Sequence, residues 1–570
     1  MFGKQKSQLC RIIAPRMLER WISGSLALFM VASVHAASID SQVRQLTDMV
    51  ARHTEGVRAV EQQLLPHADT RVALAFAIAT PRTLVVDSLE LYLDNQLVTS
   101  HRYTENERNA LAQGQSLPLY QGNLSSGSHR LKAVVNARTD DNRFVRRELV
   151  HRFVKQSVIK QLHMALHATA PEFEPEARFS DGDGAPTGTA ASLEPARPSQ
   201  QAEANRLHRE RREHELFELA EQERAKGRTD AAGRYLAKMN EGYWAALGYL
   251  NLANDFARDD LNSTRALVSL RVAMAMAAKD PNEKRRINLL NQLHLRAGYL
   301  ALKSDDHDKA ITLLEKVTLD SYYAPQALYL HGLALANKGN HRAAMQSWHR
   351  AKKFPLAFPG VTDAWIGMGR GYDLAGYPGQ AGESWLAANA AYQGERVTLN
   401  ELGQRIQKQG AYKALVEDAR NTGPEWFLAD SRTLTQPRMA YLLQFLEQPH
   451  AQDAVGRVAH LDEMTAQLNR NAHDLSVFVV ALTDLLEGGS SGPAIKNMLS
   501  DSRNLKGQIH RLQAQVNEAR AQAAAVLDSF ALEFVDHQSQ LMGHALDKTE
   551  QQIAHLYEYL ALETLGEDAR

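Results

Sequence analysis

Small residues recur at a nearly fixed spacing between residues 292 and 392. Gly298, Gly332 and Gly369 are separated by 34 and 37 residues. An alanine follows each of these glycines twelve residues later: Ala310, Ala344 and Ala381. A period of this length predicts stacked pairs of helices, because a single pair cannot bury its own apolar face. Small residues at fixed positions would let the two helices of each pair approach closely. We therefore expect a mainly α fold.

Bulky and turn-forming residues keep the same offsets. Trp348 and Trp385 each follow the leading glycine by sixteen residues and are expected to fill the space between one pair and the next. Gly339 and Gly376 are expected to form the turns, because glycine accepts a positive φ. Asp305 takes the turn position in the first repeat.

Together these residues resemble the tetratricopeptide repeat (TPR), as found in proteins of the bacterial periplasm. The match is best in the third repeat, whereas Leu314 replaces the later aromatic residue in the first. The resemblance implies a TPR-like α-solenoid over residues 207–430, with two degenerate repeats ahead of the three clearer ones and capping helices over 400–429; an irregular helical bundle is the alternative. It also implies a groove that binds partner proteins and contains Tyr299, Lys303, Tyr329, Asn337, Arg370 and Asp373.

The N-terminal residues 1–36 have the pattern of a signal peptide. Basic residues precede an apolar run over residues 22–34, which ends in Val34-His35-Ala36. Such a run is typical of a cleavable secretory signal and too short to span a bilayer. An uncleaved anchor or a wrongly chosen start codon is the alternative. The single cysteine, Cys10, lies in this region, so the mature chain would have no disulfides. We expect a periplasmic location.

Residues 37–205 divide into three predicted segments. An amphipathic helix is predicted over 37–66, because six apolar residues recur at helical spacing. Alternating strands over 67–160 predict a small Ig-like β-sandwich module, with a turn at Asp94-Asn95 and a helical insert over 104–114. The stretch 119–135 resembles Ig-like modules of bacterial envelope proteins, which usually serve in binding or as spacers and not in catalysis. Residues 168–205 are rich in small and polar residues and predict a flexible linker.

The C-terminal residues 435–567 predict a long helical hairpin or coiled coil. Apolar residues between 461 and 485 step by threes and fours, with one step of seven, and those between 505 and 530 by threes and fours alone. A glycine-rich break at 487–493 separates the two arms. The second arm is longer than the first, so the apolar residues near its end need another partner: Ile553, Leu556 and Leu560. This partner is the body of the protein, a second copy or another subunit.

Motifs for catalysis are not found in the sequence: it has no Walker loop, nucleophile elbow or zinc-protease motif. His163 and His167 are four residues apart, but no third metal ligand accompanies them. The net charge of −1 gives no indication of nucleic-acid binding. We therefore predict a non-enzymatic scaffold without cofactors in an export, polysaccharide-secretion, pilus or energy-transducing assembly of the envelope. Self-association through the C-terminal helices is a further hypothesis. The alternative is a protein that binds peptidoglycan or another glycan through its β module.

Overall fold

The computed structural model describes residues 26–79, 84–139, 144–167, 176–181, 200–259, 264–417, 437–489 and 492–568. They form two compact units. The first comprises Met1–Leu193 with Arg457–Ala523, and the second Glu194–Gly456 with Ala524–Arg570. The structure is mainly helical and contains a β module, as predicted.

The first unit begins with a long helix, α1 (Leu26–Leu64). It starts inside the predicted apolar run, so the helix predicted over 37–66 begins earlier in the structure. Residues 1–25 of the predicted signal peptide lie outside the described residues, and cleavage after Ala36 stays a prediction. In the described part of the chain, no helix combines the length and apolar character needed to cross a membrane.

The β module contains two four-stranded sheets. Their orders are β4-β1-β7-β8 and β3-β2-β5-β6, and the β1–β7 pair is parallel whereas the other pairs are antiparallel. The apolar inner faces of both sheets form one core, centred on residues such as Phe76 and Leu91. The strands are β1 (Arg71–Ile78), β2 (Leu84–Leu93), β3 (Gln96–Arg102), β4 (Leu117–Asn123), β5 (Gly127–Thr139), β6 (Phe144–Lys155), β7 (Lys160–His167) and β8 (Glu176–Asp181).

Two local predictions for the β module are confirmed. Asp94 and Asn95 connect β2 to β3 with φ of 47° and 69°. Positive values of this kind are what a tight two-residue hairpin requires. The predicted insert forms α2 (Glu105–Ala112). Its first turn is held by a capping box, in which Thr104 and Glu107 satisfy each other's backbone N–H groups.

The predicted boundaries of the module and of the linker need correction. The sheet does not end at residue 160, because β7 and β8 follow, and β8 lies inside the predicted linker 168–205. β8 pairs with β7 from His167–Glu176 to Leu162–Asp181. It also brings Phe179 onto the ring of His151, with centroids 4.4 Å apart. The composition of residues 168–205 gave no indication of this strand, because only two of its side chains are apolar and turned toward the core, those of Ala177 and Phe179.

Helix α1 packs against two helices from the C-terminal part of the chain, α14 (Pro449–Glu487) and the first part of α15 (Pro493–Asp568). Thr54 accepts a hydrogen bond from the Asn471 amide at 2.8 Å, and Arg457 pairs with Asp40 at 3.3 Å. This packing explains the predicted apolar stripe of α1, which is buried at each of its six positions: Val43, Leu46, Val50, Val57, Val60 and Leu64.

Helices α14 and α15 run in opposite directions within the first unit. The Gln513 amide donates to Asn469 at 2.8 Å, and Arg520 pairs with Asp462 seven residues further along each helix. Residue numbers therefore rise on one helix as they fall on the other. Most of the predicted seam of α14 is buried, but the long helical hairpin or coiled coil predicted over 435–567 is not confirmed and stays a prediction.

A polar cluster joins α1, the β module and α14. Asn123, at the end of β4, accepts a hydrogen bond from Thr70 at 2.7 Å and donates to Glu61 at 3.2 Å. On α14, burial raises the pKa of Asp474 to about 6, and the neighbouring Glu61 carboxylate adds to the rise, whereas Asn123 and His473 oppose it.

Asp474→Asn should stabilise the first unit at neutral pH. The folded-state pKa of about 6 lies above the ordinary 3.8. The stability that the neutral carboxyl provides is therefore present below about pH 4 and lost as the pH rises through about 6. Asparagine imitates the neutral form, so unfolding of the variant should cost roughly 1 to 3 kcal/mol more than wild type at pH 7 and little more at pH 4. Thermal unfolding followed by circular dichroism across this range measures the difference.

Asp484→Asn is the matched control, because Asp484 is an exposed carboxylate on the same helix. It should leave the pH profile unchanged. A stabilisation by Asp474→Asn that is equal at both pH values would contradict the assigned pKa.

The second unit contains five consecutive helix pairs. They are α3 (Gln200–Ala225) with α4 (Thr229–Leu236), α5 (Tyr243–Asp259) with α6 (Thr264–Ala277), α7 (Glu283–Lys303) with α8 (His307–Leu314), α9 (Ala324–Asn337) with α10 (His341–Ala351), and α11 (Val361–Leu374) with α12 (Pro378–Gln409). Gly339 and Gly376 form turns with φ of 83° and 82°, as predicted. Asp305 adopts the same left-handed conformation, with φ of 59°, although it is not a glycine.

The leading glycines and the tryptophans pack against each other. A Cβ on Gly332 would overlap Nε1 of Trp348, and one on Gly369 would overlap Nε1 of Trp385. Each indole N–H donates to the carbonyl three residues before its glycine, at 3.1 Å to Tyr329 and 3.3 Å to Ile366. The two pairs therefore use one packing solution.

Gly369→Ala should destabilise the second unit by about 1 to 3 kcal/mol, because the new methyl group would displace the Trp385 ring from a filled site. Gly394→Ala is the matched control. Gly394 lies inside α12 where, apart from the helix backbone, no atom is within 4 Å of the position that a Cβ would take. There alanine should be neutral or stabilise the helix by up to about 1 kcal/mol. Thermal unfolding followed by circular dichroism compares the two. Equal effects would show that the glycine at 369 has no packing role.

The segment after the last clear repeat is helical at its start, as predicted. Capping helices are predicted over 400–429, and α12 continues unbroken to Gln409. A short π-helix, Tyr412–Glu417, follows it, and residues 418–429 lie outside the described residues. Helix α13 (Pro437–Leu446) comes next.

Candidate protein-binding groove

The last helix pair is covered by the second part of α15. The Asp528 carboxylate accepts a hydrogen bond from the Ala411 N–H at 2.6 Å, just beyond the end of α12. Further along α15, Thr549 donates to the Asn389 side chain, and Leu556 lies 3.0 Å from the Cβ position of Gly382. Contacts that move forward on α15 and backward on α12 define an antiparallel pair.

The end of α15 completes the last apolar cluster of the array. Leu556 packs with Trp385 and Ala381, and Ile553 and Leu560 lie against the same cluster. In the structure, these three residues therefore pack against the body of the protein, which is one of the partners that the sequence analysis left open.

The buried stripe of α15 also departs from the predicted seam. The seam placed Val526 and Phe530 inside, but both are only half-buried, whereas Leu527 and Ala531 are buried. From Ala523 to Val535 the buried positions advance by four residues at a time, through Leu527 and Ala531. Since a turn holds about 3.6 residues, such steps move the buried stripe around the helix. The change occurs where α15 passes from the first unit to the second.

The predicted groove residues lie on the first helices of three successive pairs, α7, α9 and α11. Tyr299 is 39% exposed. Lys303, Asn337 and Asp373 lie at or next to the ends of these helices, beside the turns, and all three are exposed. Arg370 is exposed as well, and Tyr329 is half-buried. We call the surface that carries these six residues the groove face. Their role in binding stays a prediction.

Tyr329 and Arg370 belong to one charged neighbourhood. Burial raises the pKa of Tyr329, the Asp363 carboxylate raises it further, and Arg370 opposes the rise. The Tyr329 ring also lies 2.9 Å from the Cβ position of Gly360, so it supports the connection before α11. Tyr329 is thus partly a packing residue, and its truncation would disturb the fold as well as the surface.

Asp363 is a groove-face residue that the sequence analysis missed. It retains solvent contact, but the protein packed around it raises the pKa of its carboxyl, while Lys548 of α15 lowers it. Asp363 could have been predicted from the repeat pattern, because it precedes Arg370 by seven residues and so lies on the same side of α11. Lys548 could not be found in this way, since it comes from outside the repeats.

A second missed contact comes from the segment between α13 and α14. Glu447 lies next to Tyr322, Tyr323 and Arg296. Burial raises the pKa of Glu447, and Arg296 opposes the rise. Nearby, Tyr441 of α13 donates to Glu395 of α12 at 2.5 Å, and burial raises the pKa of that carboxyl too. The chain's own C-terminal elements therefore contact the array at several positions.

Metal-binding geometry is not found at this surface. Within the described ranges, no group of three or more histidine, cysteine, aspartate or glutamate side chains could hold a metal ion. The polar groups of the groove face are dispersed along three helices.

Comparison with known proteins gave no matching family model and no matching curated sequence. Solved structures that match include MamA, which is 19% identical over 31% of this chain and 96% of its own, with a TM-score of 0.25. A tetratricopeptide repeat protein from Parabacteroides merdae is 16% identical over 51% of this chain and 99% of its own, with a TM-score of 0.25. The P58(IPK) TPR domain is 16% identical over 52% of this chain and 98% of its own, with a TM-score of 0.16.

The packing of the helical array agrees with the predicted TPR-like repeats: the described residues form five consecutive helix pairs, with left-handed turn residues and with a leading glycine in contact with an indole in two of the pairs.

Leu556→Ala should release the end of α15 from the last helix pair. Leu556 is only 9% exposed. Removing its buried methyl groups should cost about 2 kcal/mol of local stability, because a cavity is left beside Trp385. Hydrogen–deuterium exchange followed by mass spectrometry should show faster exchange in the second half of α15 and in α12, with α9 and α10 unchanged.

Leu562→Ala is the matched control for this variant, because Leu562 is 70% exposed. Its truncation should change stability by less than about 0.5 kcal/mol, as is usual for surface substitutions. Identical exchange in the two variants would contradict the described packing.

Proposed function

We propose that this chain is a non-enzymatic scaffold that binds a partner protein through the groove face. The observation that carries the proposal is the placement of exposed polar and aromatic side chains on the first helices of three successive pairs. Tyr299 and Lys303 on α7, Asn337 on α9, and Arg370 and Asp373 on α11 are all exposed. Tyrosine and arginine, like tryptophan, are enriched among the residues that anchor protein interfaces.

The packing of the array supports this role. Because the leading glycine of each pair packs against the second helix, against Leu314 in the first pair and against an indole in the next two, the first helices present their side chains at regular intervals. Stacked repeats of this kind form extended binding surfaces. A partner segment could then contact several helices at once, so that a few anchors give affinity and their spacing gives specificity.

We further propose that the scaffold acts in the periplasm, in an export, polysaccharide-secretion, pilus or energy-transducing assembly. The support is the basic start, the apolar run and the small-residue pattern ending at Ala36, which together indicate a cleavable signal. Self-association remains a prediction, for which the exposed side chains near the end of α15 are candidates: Tyr557, Tyr559 and Leu562. Peptidoglycan binding by the β module also remains a prediction.

The groove face can be tested with a double variant, Tyr299→Ala with Arg370→Ala. Both side chains are exposed, so their removal should leave helicity unchanged. Recovery of the partner protein should fall at least about tenfold, because two anchors are lost. The measurement is affinity purification of the tagged full chain from the periplasmic fraction of its own cells, with quantitative mass spectrometry of co-purifying proteins.

Tyr377→Ala with Arg342→Ala is the matched control. Tyr377 is 56% exposed in the turn before α12, and Arg342 is exposed on α10, a second helix. This pair should leave recovery unchanged. Equal recovery with both double variants would remove the groove face from the proposal. Absence of the wild-type chain from the periplasmic fraction would contradict the location.

A further inference from the structure

The edge strand β6 is long and lies at the end of its sheet. It has 12 residues, from Phe144 to Lys155, and within the described strands its sheet partner is β5 alone. The edge strands of the other sheet, β4 and β8, have only 7 and 6 residues. An edge as long as β6 presents a row of backbone N–H and C=O groups to which another strand can pair.

The outward side of β6 carries apolar residues that the fold does not use. Inward-facing residues alternate with outward ones, and Phe153 is buried whereas Val150 and Val154 are 47% and 60% exposed. Exposed valines in a strand are favourable positions for cross-strand contacts with a further strand.

Positive charge accompanies the exposed valines. Arg146 and Arg152 are exposed on the outward side of β6. On this side the next residue after Arg146 is Glu148, and the residue before Arg152 is Val150. Arg152 lies directly opposite Arg130 of β5, which is also exposed. Like charges directly opposite each other destabilise a sheet, so an anionic neighbour would relieve this repulsion. Glu148 is already balanced, because it pairs with Lys132 at 3.8 Å.

We propose that β6 is a docking edge for an extended acidic segment of a partner protein, which adds to this sheet as a fifth strand. Strand addition uses backbone hydrogen bonds for affinity and alternate side chains for specificity. The charge and apolar pattern of β6 fixes which alternate side chains fit: acidic beside Arg146 and Arg152, and apolar beside Val150 and Val154. All pairs in this sheet are antiparallel, so the added strand runs antiparallel to β6.

This surface is independent of the groove face. β6 belongs to the first unit and the groove face to the second, so either proposal can fail without the other.

The test uses a labelled synthetic peptide, Val-Thr-Glu-Thr-Val-Thr-Lys-Thr-Glu, whose alternate residues match the outward side of β6. Fluorescence anisotropy with the full chain should show binding about tenfold tighter than that of a peptide with each charge reversed, since the cross-strand charge pairs of Arg146, Glu148 and Arg152 are all exchanged. The protein variant Arg146→Glu with Arg152→Glu should reverse this preference. Methylation of alternate backbone nitrogens of the peptide should abolish binding, because the added strand would lose its hydrogen-bond donors.

Arg58→Glu with Arg102→Glu is the control, because it changes the net charge equally at exposed positions on α1 and β3. It should keep the wild-type preference, and circular dichroism should show all variants folded. The proposal is overturned if the preference survives reversal of Arg146 and Arg152, if the methylated peptide binds as tightly as the original, or if the matched peptide does not bind.

Discussion

The packing of the helical array depends on two glycines, whose lack of a Cβ lets a second helix approach closely. At Gly332 and Gly369 the space that a Cβ would occupy is taken by an indole ring from the second helix of the same pair. The ring is held by a hydrogen bond to the carbonyl of Tyr329 or Ile366, so its orientation as well as its volume is specified. Trp348 also reaches Gly367 of the next pair, 3.0 Å from its Cβ position, which links one pair to the next. This contact sets the distance between the helices that carry the groove face.

The first repeat shows that the packing solution tolerates a smaller partner. Leu314 takes the indole's place, and the Cβ position of Gly298 lies 2.6 Å from it. Leucine fills the space but has no N–H to donate. Asp305, with its positive φ, similarly replaces the turn glycine at some conformational cost. These two departures from the repeat pattern alter side chains without altering the architecture, because close approach at the leading glycine is retained.

Features whose causes lie within a short stretch of chain could be predicted. The turn at Asp94-Asn95, the apolar stripe of α1 and the helix pairs follow from residue type and local spacing. Features that depend on distant neighbours were missed. Strand β8 exists because β7 offers it an edge, and the seam of α15 changes after Ala523 because the helix changes partners. A heptad pattern records which residues are apolar but not which helix they face. For the same reason Lys548 and Glu447, which approach the array from outside the repeats, could not be predicted from the repeat pattern, whereas Asp363 could.

The contacts of these two residues bear on how the groove face can be used. Lys548 lies near Asp363, and Glu447 near Arg296, so charges that belong to the repeats are partly balanced by the chain's own C-terminal elements. A charged partner that approaches Asp363 or Arg296 must compete with a group already held nearby by the fold. Tyr299 is 39% exposed on α7, and a tyrosine offers a large apolar area at a small entropic cost.

The anchoring of a partner should therefore depend more on α7 than on the acidic and basic residues beside α15. This ordering follows from desolvation. A new ion pair gains little beside a charge that one of the chain's own groups already offsets, whereas burial of an exposed ring gains the full apolar contribution.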